Sequence, residues 1–109
     1  MGALRIWQHW EAIVHAVIRT YSGQGAKELF DILEQRRGEV QNAIRAVSGF
    51  QSYILIRTDD GGVTVTVCQD KAGTDESSQV SREWIQQNVS DLDVSPPVVS
   101  EGPALLQLR

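Results

Sequence analysis

The clearest hydrophobic pattern in the chain lies over residues 49–70, where two stretches of alternating apolar and polar residues flank a short polar turn. Alternation with a period of two is typical of strands that bury one face, so the pattern predicts a β-hairpin. A turn centred on Asp60-Gly61 would place Ile54 opposite Val67. In that register one face of the hairpin is wholly apolar and the other is mixed.

A second alternating stretch, over residues 13–21, predicts the first strand. The alternative is a helix over residues 4–18, because the apolar residues there also recur at helical spacing. We treat residues 1–12 as an N-terminal extension. Its aromatic residues Trp7 and Trp10 form an apolar surface that we expect to pack against the dimer interface or the mouth of a cavity.

Two helices and a last strand complete the predicted elements. Residues 26–47 carry one apolar stripe at spacings of three and four, which predicts a single helix. Gly38 lies in its middle, and a packing contact or a local bend would explain a glycine there. Thr74 is the predicted N-cap of a second helix that runs to about Val89. The final strand is predicted over residues 104–108, with Val98-Val99 as a short extended lead-in. The apolar stripe of the first predicted helix consists of Ala26, Phe30, Leu33, Arg37, Val40, Ile44 and Val47.

The order β-α-β-β-α-β predicts a ferredoxin-like α+β fold, in which two helices lie on one face of a four-stranded antiparallel sheet. We expect the apolar sheet face under the helices. The mixed face would then be covered by a second copy of the chain, enclosing a partly polar cavity in a homodimer. The apolar set is Val14, Ala16, Ile18, Ile54, Ile56, Val63, Val65 and Val67. The mixed set is His15, Val17, Arg19, Tyr53, Leu55, Arg57, Thr64, Thr66 and Cys68.

Composition narrows the functional classes. The 109 residues suffice for one domain, which we place at residues 13–109. The net charge of −4 and the lack of a basic run argue against nucleic-acid binding. No apolar run approaches the roughly 18 residues that would cross a bilayer, so we expect no membrane contact. Cys68 is the single cysteine, which excludes an internal disulfide and a multi-cysteine zinc site and fits a reducing, cytoplasmic location.

Three segments carry a resemblance to a known family: VIRTYSGQGAKELF, VSGFQSYILIRTDDGGVTVTVCQDK and PPVVSEGPALLQL. They resemble the dimeric α+β barrel proteins of the antibiotic biosynthesis monooxygenase-like superfamily, over roughly residues 13–108. Members include cofactor-independent monooxygenases that form quinones, haem-degrading enzymes and proteins without known activity. The haem-degrading members resemble one another in an Asn–Trp–His set that this chain lacks, so the resemblance implies no cofactor.

Oxygenation without a cofactor needs a dry cavity, aromatic walls and a polar group that deprotonates the substrate or holds its anion. We assign the catalytic roles to Tyr53 and His15, with the imidazole as a candidate base. The structural alternatives are a hydrogen-bonded interface histidine for His15 and a wall position for Tyr53.

Four further residues are candidates for substrate binding. Arg19 and Arg57 would hold a phenolate, and their structural alternative is an ion pair between subunits. Trp84 would form a wall, or belong to the core. Cys68 would face the cavity, and a buried inert thiol is its alternative.

The sequence therefore predicts a protein that resembles cofactor-independent monooxygenases and acts on a small aromatic or quinol-like compound in a dimer cavity. A ligand-binding or stress-response dimer without catalysis, on the same fold, is the alternative. A structural or interaction module is a third.

Overall fold

The structure is a computed structural model that describes residues 14–108. Its elements are β1 (His15–Ser22), α1 (Ala26–Gln35), α2 (Arg37–Arg45), β2 (Phe50–Thr58), β3 (Gly61–Cys68), α3 (Lys71–Asn88) and β4 (Val98–Pro103). The strands form one antiparallel sheet in the order β2-β3-β1-β4. The predicted ferredoxin-like α+β fold is confirmed, with three helices in place of two.

The extra helix arises because the predicted helix over residues 26–47 is broken at Arg36, whose φ of −111° and ψ of 35° leave the helical region. The predicted apolar stripe is otherwise correct: its members are buried except Arg37, which is exposed. Gly38 lies in the first turn of α2, and a Cβ atom there would meet no atom within 4 Å. A packing contact therefore does not explain this glycine.

The β2–β3 hairpin turns one residue earlier than predicted, which shifts the pairing register by two residues. Thr58 pairs with Gly61 and Ile54 pairs with Val65, so the two turn residues are Asp59 and Asp60. A shift by an even number of residues leaves every side chain on its predicted face. The pairing is irregular between residues 50 and 52, where β2 carries a bulge.

The assignment of the two sheet faces was wrong, because the helices cover the mixed face. Val17, Arg19 and Thr66 are at most 2% exposed beneath the helices. On the other face Ile54 is 52% exposed and Ile18 is 40% exposed. The apolar face is therefore the open one, and the cavity-forming face lies inside a single subunit.

Two features of the sequence explain why the helices cover the mixed face. Gly62 lies under Phe30 of α1, and a Cβ atom at position 62 would come within 2.1 Å of the ring. The helix can approach the sheet this closely only on the face where β3 begins with glycine. The second feature is Arg19, whose guanidinium is satisfied by hydroxyl groups that α3 supplies, as described below.

The boundaries of α3 and β4 also differ from the predictions. Asp70, not Thr74, caps α3, and its carboxylate accepts a hydrogen bond from the Gly73 N–H at 3.1 Å. The last strand lies over 98–103, where it pairs with β1. The predicted strand over 104–108 is wrong, and the leucines of that segment are exposed.

The observed β1 excludes a helix that continues to residue 18. The predicted N-terminal extension with Trp7 and Trp10 lies outside the described residues. Within residues 14–108, no helix combines the length and the apolar character that crossing a membrane requires.

Candidate functional site

A small cavity lies between the sheet and the helices; we call it the inner cavity. Its volume is about 30 Å³, which is enough for one or two water molecules. Its polar lining comes from Tyr21, Tyr53, Thr64, Ser81 and Trp84. Its apolar lining comes from Leu33, Val40, Ala43, Ile44, Val80 and Ile85.

Three aromatic side chains at the inner cavity keep unused hydrogen-bonding groups. Within the described part of the chain, no hydrogen bond is made by the hydroxyls of Tyr21 and Tyr53 or by the indole N–H of Trp84. Tyr21 is 4% exposed. Tyr53 and Trp84 are half-buried. Because a fully buried polar group in a native protein is almost always paired, the Tyr21 hydroxyl, which finds no partner among residues 14–108, indicates a place for a polar ligand.

Burial determines the protonation of both tyrosines. It raises the pKa of Tyr53 to about 12, and it also raises the pKa of Tyr21. The nearby Arg19 charge opposes the rise at both hydroxyls. Both phenols are therefore neutral near pH 7, so they act as hydrogen-bond donors and not as bases.

Arg19 lies behind the inner cavity with its charge uncompensated. Its guanidinium makes five hydrogen bonds, all to hydroxyls, and the shortest joins Nη2 to the Ser77 Oγ at 2.6 Å. Among residues 14–108 no carboxylate pairs with it, and burial lowers its pKa. One of its partners is Thr64, a lining residue of the inner cavity, at 3.2 Å. The arrangement places a positive field beside the cavity.

Trp84 forms one wall of the inner cavity, and the break between α1 and α2 holds it in place. The guanidinium of Arg36 lies 5.0 Å from the centre of the indole ring, within the range of a cation–π interaction. Arg36 also donates to the Asn88 Oδ1 at 2.8 Å. The helix break therefore ties α2 to the part of α3 that borders the cavity.

A larger open groove of about 290 Å³ lies between α2 and β2; we call it the outer groove. It is lined by Arg37, Val40, Gln41, Ile44, Arg45, Phe50, Tyr53 and Leu55. Val40, Ile44 and Tyr53 line both spaces and thus form the partition between them. Movement of these three side chains would join the groove to the cavity.

His15 lies outside the inner cavity, near the end of the sheet where β1 begins. Its Nδ1 is 2.8 Å from the Thr74 Oγ, and that hydroxyl donates to the Lys71 carbonyl oxygen at 3.0 Å. The other ring nitrogen, Nε2, lies 3.9 Å from the Glu101 Oε1. The structure does not bring His15 together with Tyr53.

The other two predicted binding residues also lie away from the inner cavity. Arg57 is exposed and pairs with Asp31 and Glu34, each at 3.0 Å. Cys68 is fully buried, and burial raises the pKa of its thiol, which makes it a poor nucleophile. Of the six predicted site residues, Tyr53 and Trp84 line the cavity, and Arg19 supports it from behind.

Sequence reasoning missed Tyr21, Thr64 and Ser81 as lining residues. The alternating pattern already placed Tyr21 and Thr64 on the face of Tyr53, so assigning the helices to that face would have identified them. Ser81 follows Ser77 by one helical turn on α3, and a hydroxyl at that spacing is the signal for its position.

Comparisons with solved structures show proteins of the same fold. A Streptomyces coelicolor monooxygenase from the gene ActVA-Orf6, solved with the ligand nanaomycin D, matches with a TM-score of 0.55 and 20% identity, over 91% of this chain and 93% of that one. SnoaB, a cofactor-independent oxygenase from Streptomyces nogalater, matches with a TM-score of 0.52 and 17% identity, over 90% and 96%. The haem-degrading protein Rv3592 of Mycobacterium tuberculosis matches with a TM-score of 0.55 and 17% identity, over 90% and 98%.

The resemblance to the antibiotic biosynthesis monooxygenase-like superfamily is thus confirmed at the level of the fold, since solved structures from that family are among the matches. No family model and no curated protein matches the sequence. Because one fold carries both oxygenation and haem degradation among these proteins, the activity must be argued from the site.

Proposed function

We propose that the protein is a cofactor-independent monooxygenase that oxidises a small phenol or quinol. The ring would enter from the outer groove and occupy the inner cavity once movement of Val40, Ile44 and Tyr53 has joined the two spaces. The observation that carries the proposal is a set of three donors around one small cavity, on Tyr21, Tyr53 and Trp84, none of which finds a partner among residues 14–108. The fold that the chain shares with a cofactor-independent oxygenase supports it.

The proposed reaction uses the substrate as its own reductant. A phenol releases its proton to water, and the anion gives one electron to O₂. The resulting radical and superoxide combine at the carbon para to the oxygen to form a hydroperoxide, which loses water to leave a quinone. One phenol and one O₂ thus give one quinone and one water.

The residues at the cavity suit the anionic stage of this reaction. The Tyr53 hydroxyl, kept neutral by its raised pKa, would donate a hydrogen bond to the phenolate oxygen. The buried charge of Arg19 would favour the anion without touching it. Trp84 would stack against the ring.

Oxygen uptake with 1-naphthol as the probe tests the proposal. We expect Tyr53→Phe to lower the rate by about 10²-fold, as loss of one donor to a developing oxyanion does. Lys27→Gln, on the exposed side of α1, is the control and should keep the rate. A panel of naphthols and quinols that bind without oxygen uptake would refute the proposed enzymatic activity. That result would favour the ligand-binding alternative.

We also propose that the open sheet face pairs with the same face of a second copy. The exposed isoleucines at positions 18, 54 and 56 and the half-buried valines of β3 form a continuous apolar surface there. Surfaces of this kind on soluble domains mark contact sites. This proposed interface would lie on the far side of the sheet from the inner cavity.

Light scattering after size exclusion tests the dimer. We expect a dimer at micromolar concentration, and a shift towards monomer in Ile54→Glu. Gln86→Glu, an exposed change on α3 that adds the same charge, should leave the dimer intact. A monomeric parent protein would refute this interface while leaving the proposal for the inner cavity standing.

A further inference from the structure

The charge pattern of the outer groove indicates a narrower class of ligand than the proposed function names. We propose that the groove selects an organic anion, an aromatic carboxylate whose rings lie on the apolar floor and whose carboxylate pairs with Arg37 or Arg45. The inference rests on the proposed function only for the assumption that the ligand also reaches the inner cavity.

The first argument is the position of the two arginines. Arg37, Gln41 and Arg45 follow each other at intervals of four on α2 and all line the groove. At about 1.5 Å per residue, the two arginines stand about 12 Å apart along the helix, one towards each end of the groove. The apolar residues between and opposite them come from α2 and β2.

The second argument is that both charges are available. Within residues 14–108, neither Arg37 nor Arg45 has an ion pair or a side-chain hydrogen bond. The lining contains no aspartate or glutamate, although the whole chain carries a net charge of −4. Asp31 and Glu34 line a neighbouring groove together with Arg37, and both pair with Arg57. Two free guanidinium groups on an acidic protein favour an anionic ligand.

The third argument is shape. The volume of about 290 Å³ lies at the lower end of the range for small-molecule sites, which suits a ligand of one or two rings. Phe50, Leu55 and Ile44 offer apolar contact to the rings. Tyr53 lies at the inner side, so a phenolic ring held by its carboxylate at the arginines would present its hydroxyl towards the partition.

A matched pair of probes measures the contribution of the carboxylate to binding. The probes are 1-naphthol and 5-hydroxy-1-naphthoate, which adds a carboxylate on the ring away from the hydroxyl, and their binding is measured by calorimetry without oxygen. We expect the carboxylate to bind about tenfold tighter, as for partly exposed charge pairs. Because the carboxylate pairs with one arginine at a time, the advantage should fall to about fivefold in Arg37→Gln or Arg45→Gln. It should vanish in the double variant and shrink with added salt. Lys27→Gln removes the same charge elsewhere and should keep the advantage.

The outcomes separate this inference from the proposed function. Equal affinity for the two probes, or an advantage that survives the double variant, would overturn the inference even if 1-naphthol is oxidised. Arginine-dependent binding of the naphthoate without oxygen uptake would support the inference and refute the enzyme. If Trp7→Ala/Trp10→Ala alone raised the affinity for both probes tenfold, the groove would belong to the chain's own N-terminal residues, which would overturn the inference.

Discussion

The two tyrosines of the chain offer a direct test of the inner cavity, because Tyr21 and Tyr53 are the only tyrosines and both line it. Burial raises the pKa of Tyr53 from 10 to about 12 and also raises the pKa of Tyr21. The native protein should therefore show less tyrosinate absorbance at pH 10 than the unfolded chain, which is half ionised at that pH.

The shift at Tyr53 has a calculable effect on stability. A pKa difference of about two units corresponds to about 3 kcal/mol, at 1.36 kcal/mol per unit. Between pH 10 and pH 12 the unfolded chain holds fewer protons than the native one, so the free energy of unfolding falls as the pH rises. The contribution is fully present below pH 10 and is lost as the pH passes 12.

Single-tyrosine variants assign the titration. In Tyr21→Phe the near-ultraviolet absorbance of tyrosinate reports Tyr53 alone, and circular dichroism at each pH confirms that the chain is folded. We expect a midpoint about two units above that of the same variant in guanidinium chloride. A midpoint near 10 in the folded protein would show that water reaches the hydroxyl. That result would refute the burial of the Tyr53 hydroxyl at the inner cavity. It would also refute the role of Tyr53 as a neutral donor.

Three further predictions concern stability, each measured by chemical denaturation. Ser77→Ala removes the hydroxyl 2.6 Å from the Arg19 guanidinium and should cost about 1.5–3 kcal/mol, the usual range for a hydrogen bond to a charged group; an unchanged midpoint would contradict the buried network. Gly62→Ala should cost about 1–3 kcal/mol, because its Cβ atom would lie 2.1 Å from the ring of Phe30. Gly38→Ala, the matched control with open space around it, should instead stabilise by about 0.5–1 kcal/mol, and a loss of stability there would argue against a helical position.

The elements and the fold class could be predicted from the sequence because their signals are local. Alternation over β1, β2 and β3 and the stripe over residues 26–47 each involve residues close in the chain. The break at Arg36 was missed because the stripe continues through it without a change of spacing. The end of the chain was misread because Ala104 and the following leucines have strand-like composition, whereas pairing with β1 already ends at Pro103.

The site was harder to predict because it depends on which sheet face the helices cover. A rule that buries the more apolar face gives the wrong answer here. The deciding facts are a glycine at position 62 under Phe30 and the hydroxyls of Ser77 and Ser78 opposite Arg19. Each of these is a contact between elements far apart in the chain, at separations such as 58 residues, so no local pattern reveals it.

Burial of Arg19 explains both the position of the inner cavity and the apolar character of the open sheet face. A guanidinium can enter a protein interior only where every N–H finds an acceptor, and β3 together with α3 supplies the hydroxyls on one face of the sheet. The hydroxyls satisfy the N–H donors of Arg19 but do not neutralise its positive charge. The buried charge therefore favours an anion in the inner cavity, at a cost to the stability of the fold. Once the polar face is committed to the helices, the strict alternation of β1 and β3 forces their apolar side chains onto the open face. The residues that create the proposed site thereby create the proposed dimer surface as well, and a change that moved Arg19 to the open face would remove both.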